Sequence, residues 1–240
     1  MMHLSEAAQA THGQVIGNDA LFTSVGTDSR KLAAGQLFVA LRGEHFDGHA
    51  YATTALEQGA AGVMVSSDVP ALSAGVVVKD TRLALGDLAA YWRRKFDIPL
   101  AAITGSNGKT TVKEMLASIL RTEAGADELV LATEGNLNND IGLPLTLLKL
   151  RDQHRYAVAE MGMNHRGEIR YLTRIGAPTV ALVNNAGTAH IGELGSVEAI
   201  AQAKGEIFEG LSEGGVAVIN ADDAYAPFWH SLAAPHKVAS

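Results

Sequence analysis

The chain has 240 residues, 47% of them hydrophobic and 19% charged, enough for a sizeable buried core in one large domain or two ordinary ones. A formal charge of −7 with no long basic run argues against a nucleic-acid groove, and the lack of cysteine excludes disulfides, zinc-thiolate sites and thiol nucleophiles. The opening MMHLSEAAQATHGQ lacks the charged-then-apolar profile of a signal peptide, and no apolar run approaches the ~18 residues of a membrane span, so a cytoplasmic protein is expected.

Along the chain, the apolar runs 37–41 (LFVAL), 61–66 (AGVMVS) and 75–80 (GVVVKD) read as strands, with helices predicted over 51–59 and 81–96. This is a small α/β unit, and the texture changes near Ile98 and Pro99. Beyond it, strands are predicted at PLAAIT, 129–133 (LVLAT), YAVAEMG, 179–183 (TVALV) and GVAVIN. Helices are predicted after Gly108, before Arg151, near Ile169 and over 196–211. Repeated β-α-β with apolar strands implies a mostly parallel sheet with helices on both faces, the fold class being α/β. The domains are read as 1–98 and 99–240. The last stretch, APFWHSLAAPHKVAS, has no clear periodicity.

Parallel sheets of this kind bind ligands at the carboxyl ends of their strands. There the stretch ITGSNGKTT (103–111) stands out. Gly105, Ser106, Asn107, Gly108, Lys109, Thr110 and Thr111 join a strand to a helix whose apolar positions are read as Val112, Met115, Leu116 and Ile119. Backbone N–H groups and the helix N-terminus supply partial positive charge, Lys109 a full one at the β/γ-phosphates, and the Thr110 hydroxyl a ligand for Mg²⁺. The strict pattern G-x-x-x-x-G-K-[ST] fails because Ile occupies position 103; the shorter G-x-x-G-K-T-T is matched. A glycine turn that merely connects strand to helix is the bland reading. No N-K-x-D or D-x-x-G element accompanies the loop, which disfavours a GTPase.

Three further residues fall at the same edge. Glu160 closes the run YAVAE, where an acid meets the metal of a nucleotide held next door, although it could be an ordinary strand-end carboxylate. His190 follows TVALVNNAGT; with nine histidines in the chain it is weak by itself, and a solvated loop histidine is the bland reading. Lys204 interrupts the stripe of Ile200, Ile207, Phe208 and Leu211. Either its stem packs while its ammonium reaches water, or it is held near phosphate or metal, or a lowered pKa permits covalent modification.

Taken together, TDSRKLAAGQLFVALRGEHFDGH (27–49), TGSNGKTTVKEML, GNLNNDIGLPLTLL (135–148), AEMGMNHRGEI (159–169), NNAGTAHIGELGS (184–196) and AQAKGEIFEGL resemble the Mur ligase family of ATP-dependent amide-forming enzymes. Within it they look like the branch that adds D-alanyl-D-alanine to UDP-MurNAc-tripeptide in peptidoglycan precursor synthesis. The resemblance covers nearly the whole chain and implies a P-loop-type central domain behind a UDP-substrate domain. Carried over, it makes Lys109 the γ-phosphate ligand, and Thr110 and Glu160 ligands of the Mg²⁺ bound with ATP. His190 then helps hold a second Mg²⁺, with Lys204, carbamylated by CO₂, as an anionic ligand. It also puts Asp28, Ser29 and Arg30 near the UDP moiety and Asn136, Asn138 and Asn139 near the muramyl-peptide, although Ser29 and Asn139 are also ordinary turn residues.

A complete ligase of this family continues into the rest of the central domain, with a G-R-H-N-type segment near the adenine, and into a third domain. The chain therefore reads as a fragment, a monomer, not active alone. Two other readings stand beside this one. A folate polyglutamate ligase of the same superfamily is disfavoured by the TDSR and F-D-G-H segments. A nucleotide- or UDP-sugar-binding module without catalysis is the third.

Overall fold

A computed structural model gives the structure of the protein and describes residues 1–66, 69, 72–189 and 191–240. The chain forms two compact units, Met1–Tyr91 and Trp92–Ser240.

The first unit contains β1 (Met2–His3), α1 (Leu4–Ala10), β2 (Gln14–Gly17), β3 (Leu21–Phe22), β4 (Ser24–Gly26), β5 (Gln36–Val39), α2 (Ala52–Glu57), β6 (Gly62–Val65) and β7 (Ala74–Val77), and most of α3 (Thr81–Arg93). Its five-stranded sheet has the order β2-β7-β6-β5-β4; only β2 runs antiparallel to its neighbour, and β1 pairs separately with β3. Phe38, Val63 and Val65 meet Ala52 and Ala55 of α2 in a closed apolar cluster, the small alanines letting helix and sheet approach closely. The elements before residue 36 carry no readable period because each strand has only two to four residues.

The F-D-G-H segment has a folding role. Asp47 caps the 3₁₀ turn Gly48–Tyr51, and a Cβ at residue 48 would press into the backbone of Leu41 at under 3 Å. The buried His49 ring donates from Nδ1 to Asp47 Oδ1 at 2.5 Å and accepts the Ser66 N–H at Nε2 at 2.8 Å, which ties the turn to the end of β6. The His49 N–H, followed by the ring and Arg42, holds the Asp47 carboxyl down to about 2.

The second unit contains β8 (Leu100–Thr104), α4 (Lys109–Ala124), β9 (Val130–Ala132), α5 (Gly142–Leu147), β10 (Tyr156–Glu160), α6 (Glu168–Gly176), β11 (Val180–Val183), α7 (Ile191–Leu194), α8 (Val197–Gly205), β12 (Val216–Ile219), α9 (Ala226–Leu232) and β13 (Lys237–Ala239). Its sheet has the order β13-β12-β11-β8-β10-β9, every neighbouring pair parallel, with helices on both faces. Among the described residues, no helix is long and apolar enough to cross a membrane.

Three sequence expectations are corrected. On α4, Met115 and Ile119 are 62% and 64% exposed; the inner side is Lys113, Ala117 and Ala124, flanked by Val112, Leu116 and Leu120. Ala117 lies against Ile103 and Val158, and its small side chain lets the helix settle on the sheet with that face inward. The helix expected over 196–211 ends at Gly205 and continues as the 3₁₀ segment Glu206–Gly210, where the Thr173 hydroxyl donates to the Ile207 carbonyl at 2.7 Å. The unpatterned last stretch forms α9 and β13. Trp229 carries much of that burial, fully enclosed and donating to the Ala201 carbonyl at 2.9 Å, and no repeating stripe is needed.

Candidate functional site

The sheet order creates the site. β8 is central; its neighbours β10 and β11 are reached by chain segments that pass to opposite sides, so the loops after all three strands converge at one edge. In the parallel register Glu160 stands beside Ile103 and Val158 beside Ala101, which puts the Glu160 side chain on the face covered by α4.

The loop after β8 turns through Gly108 at φ +74°, a left-handed conformation that glycine adopts without strain, and α4 begins at the next residue. Lys109 Nζ donates to the Gly105 carbonyl at 2.9 Å, folding the lysine over the loop. Thr110 Oγ1 donates to Glu160 Oε2 at 2.8 Å, and Asn138 Nδ2 to Glu160 Oε1 at 2.8 Å. Glu160 is 2% exposed, and both its oxygens are held by neutral donors. A buried carboxylate in that condition is short of positive charge.

The loop following β11 clamps the loop following β8. Asn185 Oδ1 accepts the Asn107 N–H at 2.9 Å, while the Asn184 and Asn185 amides donate to the Asn107 carbonyl at 2.9 and 3.1 Å. Gly187 N–H donates to Ser106 Oγ at 2.8 Å. The clamp is itself tied back: Asp223 Oδ2 accepts the Ala186 N–H, and Asn220 Nδ2 donates to the Asn184 carbonyl, each at 2.9 Å.

Lys204, on the last turn of α8, is 2% exposed, so nearly all of its side chain is enclosed by protein. Burial first, and then the positive charge of Lys109, lower its pKa to about 7. A lysine in this state is partly a free amine at neutral pH, able to act as a nucleophile toward CO₂.

In the first unit, Asp28 and Arg30 form a two-pronged pair, Nε to Oδ1 at 2.8 Å and Nη2 to Oδ2 at 3.0 Å, and Asp28 also accepts the Arg30 N–H. The Arg30 side chain lowers the Asp28 pKa to about 2. Both border a cavity of about 640 Å³ whose wall includes Ser29, Phe38, Phe46 and Tyr51; Phe46 and Tyr51 are 60% and 50% exposed.

Residues 103–240 match the family model described as the Mur ligase middle domain, and residues 21–93 match the model of the Mur ligase family, catalytic domain. The chain belongs to the Mur ligase family. It is 46% identical over 235 residues to UDP-N-acetylmuramoyl-tripeptide–D-alanyl-D-alanine ligase of Haemophilus influenzae, covering 97% of this chain and 51% of that protein. For the ligase of the same description from Escherichia coli the figures are 46%, 98% and 51%. A crystal structure of MurF from Acinetobacter baumannii superposes with a TM-score of 0.91 at 42% identity, covering 98% of this chain and 52% of that one. MurF from Thermotoga maritima, in complex with ADP, superposes with 0.82 at 30%, covering 92% and 50%. The chain thus spans about half the length of these Mur ligases.

In this Mur ligase chain, Lys109, Thr110, Glu160 and Asn138 come together, with Lys204 close enough for its charge state to respond to Lys109. His190 lies outside the described residues. Asn139 Oδ1 accepts the N–H groups of Ile141 and Gly142 at 3.2 and 2.8 Å, which is turn chemistry at the start of α5, and Asn136 is exposed. Sequence reasoning missed Asn185, Asp223 and the two aromatics Phe46 and Tyr51. The first two follow strands at the sheet edge, and that position was the available signal.

Proposed function

We propose that the chain is the nucleotide- and UDP-substrate-binding half of an ATP-dependent ligase that joins D-alanyl-D-alanine to UDP-MurNAc-tripeptide in peptidoglycan precursor synthesis. The first unit takes the UDP moiety, with Asp28, Ser29 and Arg30 at the cavity rim; the second takes ATP on Gly105 to Thr111. The observation that carries the reading is the buried Glu160 carboxylate clasped by Thr110, one residue past the lysine of the phosphate loop. Further support comes from the 46% identity to ligases of that description.

A hydroxyl and one carboxylate suit Mg²⁺, which binds through few protein ligands and completes its octahedron with waters and phosphate oxygens. Mg²⁺ held there would neutralise phosphate charge that grows toward the transition state. In the reaction, an oxygen of the tripeptide's terminal carboxylate attacks the γ-phosphorus and the bond to ADP breaks, giving an acyl phosphate. The amine of D-alanyl-D-alanine then attacks the acyl carbon, loses a proton, and expels phosphate to leave an amide. Two anions must meet in the first step, and Lys109 with the α4 N-terminus lowers their repulsion. Lys204, once its free amine has joined CO₂ and lost a proton, would be an anionic ligand of a second Mg²⁺; His190 enters this set from the resemblance alone. The reading includes a monomer working in the cytoplasm.

Calorimetric titration of the chain with UDP-MurNAc-tripeptide and with MgATP tests the proposal. Saturable binding of each is expected, one per unit. A folded chain that takes neither overturns it.

A further inference from the structure

Lys113 is 1% exposed in the middle of the inner face of α4, where an aliphatic side chain would pack at less cost. Its Nζ donates to the Thr133 carbonyl at 2.7 Å and lies 2.6 Å from Glu114 Oε1. Thr133, 2% exposed, sits just past β9 and has no free polar group: its N–H donates to the Val158 carbonyl at 3.0 Å, its carbonyl accepts from Lys113, and its Oγ1 accepts the Glu160 N–H at 3.0 Å. The Glu160 main chain is thus fixed on this side by a hydroxyl. Thr110 and Lys113 stand three residues apart on α4, on neighbouring positions of one face.

A closed ring results. From Thr110 it passes to the Glu160 carboxylate, from the Glu160 N–H to the Thr133 hydroxyl, from the Thr133 carbonyl to Lys113, and back through one turn of α4. We propose that Lys113 and Thr133 are positioning residues that set the distance between the Thr110 hydroxyl and the Glu160 carboxylate, and so the fit of Mg²⁺ with its nucleotide; this rests on the nucleotide reading above. The ring accounts for a charged group on an apolar face. The Glu114 carboxylate offsets the buried ammonium, but a surface carboxylate does not require its partner to sit on the inner face of α4, whereas Mg²⁺ accepts only narrow ligand distances and rewards a rigid pair.

The test is titration of the chain with ATP in Mg²⁺ and in EDTA, for wild type, Thr133→Val, Thr133→Ser and Lys113→Met. Wild type and Thr133→Ser are expected to bind ATP more tightly with Mg²⁺ than without. Thr133→Val, which keeps the shape and loses the hydroxyl, and Lys113→Met are expected to hold their EDTA affinity within about twofold while losing about 10-fold or more of the Mg²⁺ enhancement. The EDTA titration reports a folded loop, so loss of the enhancement alone separates positioning from misfolding. If both variants keep the wild-type enhancement, the ring has no bearing on the metal and the inference is wrong. If wild type itself shows no enhancement, the nucleotide reading fails and the inference falls with it.

Discussion

The two units handle charge in opposite ways. In the first, Asp28 and Arg30 neutralise one another at the surface, the arginine side chain 86% exposed and the pair open to solvent. In the second, Glu160 and Lys204 are each 2% exposed, and among the described residues neither meets an opposite charge within hydrogen-bonding reach. A surface pair that is already satisfied costs little to maintain and gains little from a charged ligand. Buried, uncompensated charge is held at a cost that a ligand of suitable sign can relieve. The sheet edge of the second unit is therefore where charged chemistry belongs, while the cavity of the first unit offers shape, two exposed aromatic rings and a preset guanidinium.

The strongest way to break this contrast is at Lys109. Its ammonium rests on the Gly105 carbonyl, a contact easily exchanged for phosphate oxygens. Lys109→Ala is expected to weaken MgATP binding by roughly 10–100-fold, the range for a charge-assisted hydrogen bond, with UDP-MurNAc-tripeptide affinity unchanged. Calorimetry with both ligands decides it, and an unchanged MgATP affinity would remove the phosphate loop from the proposal.

Lys204 sharpens the contrast through pH. Its pKa falls from 10.5 in the unfolded chain to about 7 in the fold, so between these values the unfolded state binds the extra proton and stability rises with pH. The cost of burial is complete below about pH 7 and gone above 10.5. Lys204→Met is accordingly expected to stabilise the unliganded chain at pH 7 by on the order of 2–4 kcal/mol, with each pKa unit worth ~1.4 kcal/mol. The gain should shrink steadily toward pH 10. Urea unfolding at several pH values measures this; a pH-independent difference would mean that packing, not charge, governs the site.

How far the sequence disclosed this arrangement depends on the kind of signal each residue carries. The glycine loop with Lys109 and Thr110 was legible because its order and its place after an apolar run reflect one local conformation. Glu160 was legible from its strand-end position, and Lys204 because it breaks a stripe. Lys113 was not. Met115 and Ile119 made another face of α4 look like the core side, and only the packing of Ala117 on Ile103 reveals which face is inward. Asn185 was hidden for a different reason: asparagine is common in loops, and its partner Asn107 is distant in sequence. The strands before residue 36 are too short for any period, and Trp229 replaces a stripe with one large side chain.

Asn185 supplies a smaller test. Its side chain both accepts from and donates to the Asn107 backbone, at 2.9 and 3.1 Å. Asn185→Ala leaves Lys109 and the Thr110–Glu160 pair untouched but frees the loop whose N–H groups are proposed to hold phosphate. MgATP affinity is expected to fall by about 3–10-fold, the worth of one or two ordinary hydrogen bonds. Equal loss in Mg²⁺ and EDTA would distinguish this loop effect from the metal-linked loss expected of Thr133→Val.

The smallest effect belongs to the first unit. Asp28→Asn removes one charge of the surface pair and leaves an oxygen to accept the Arg30 N–H at the start of the turn Ser29–Lys31. Because the pair is solvated, the melting temperature at pH 7 should not change measurably. The Asp28 pKa is lowered to about 2, so what little the carboxylate contributes is fully present above its ordinary value of 3.8 and disappears as pH falls through about 2. UDP-MurNAc-tripeptide affinity should fall only about threefold, because Arg30 keeps its charge and loses only the carboxylate that aims it. A large loss of melting temperature would place Asp28 among the structural groups, with Asp47 and His49. A large loss of UDP-peptide affinity would mean that the fork acts as a fixed recognition element, and the contrast between a charge-driven second unit and a shape-driven first unit would have to be withdrawn.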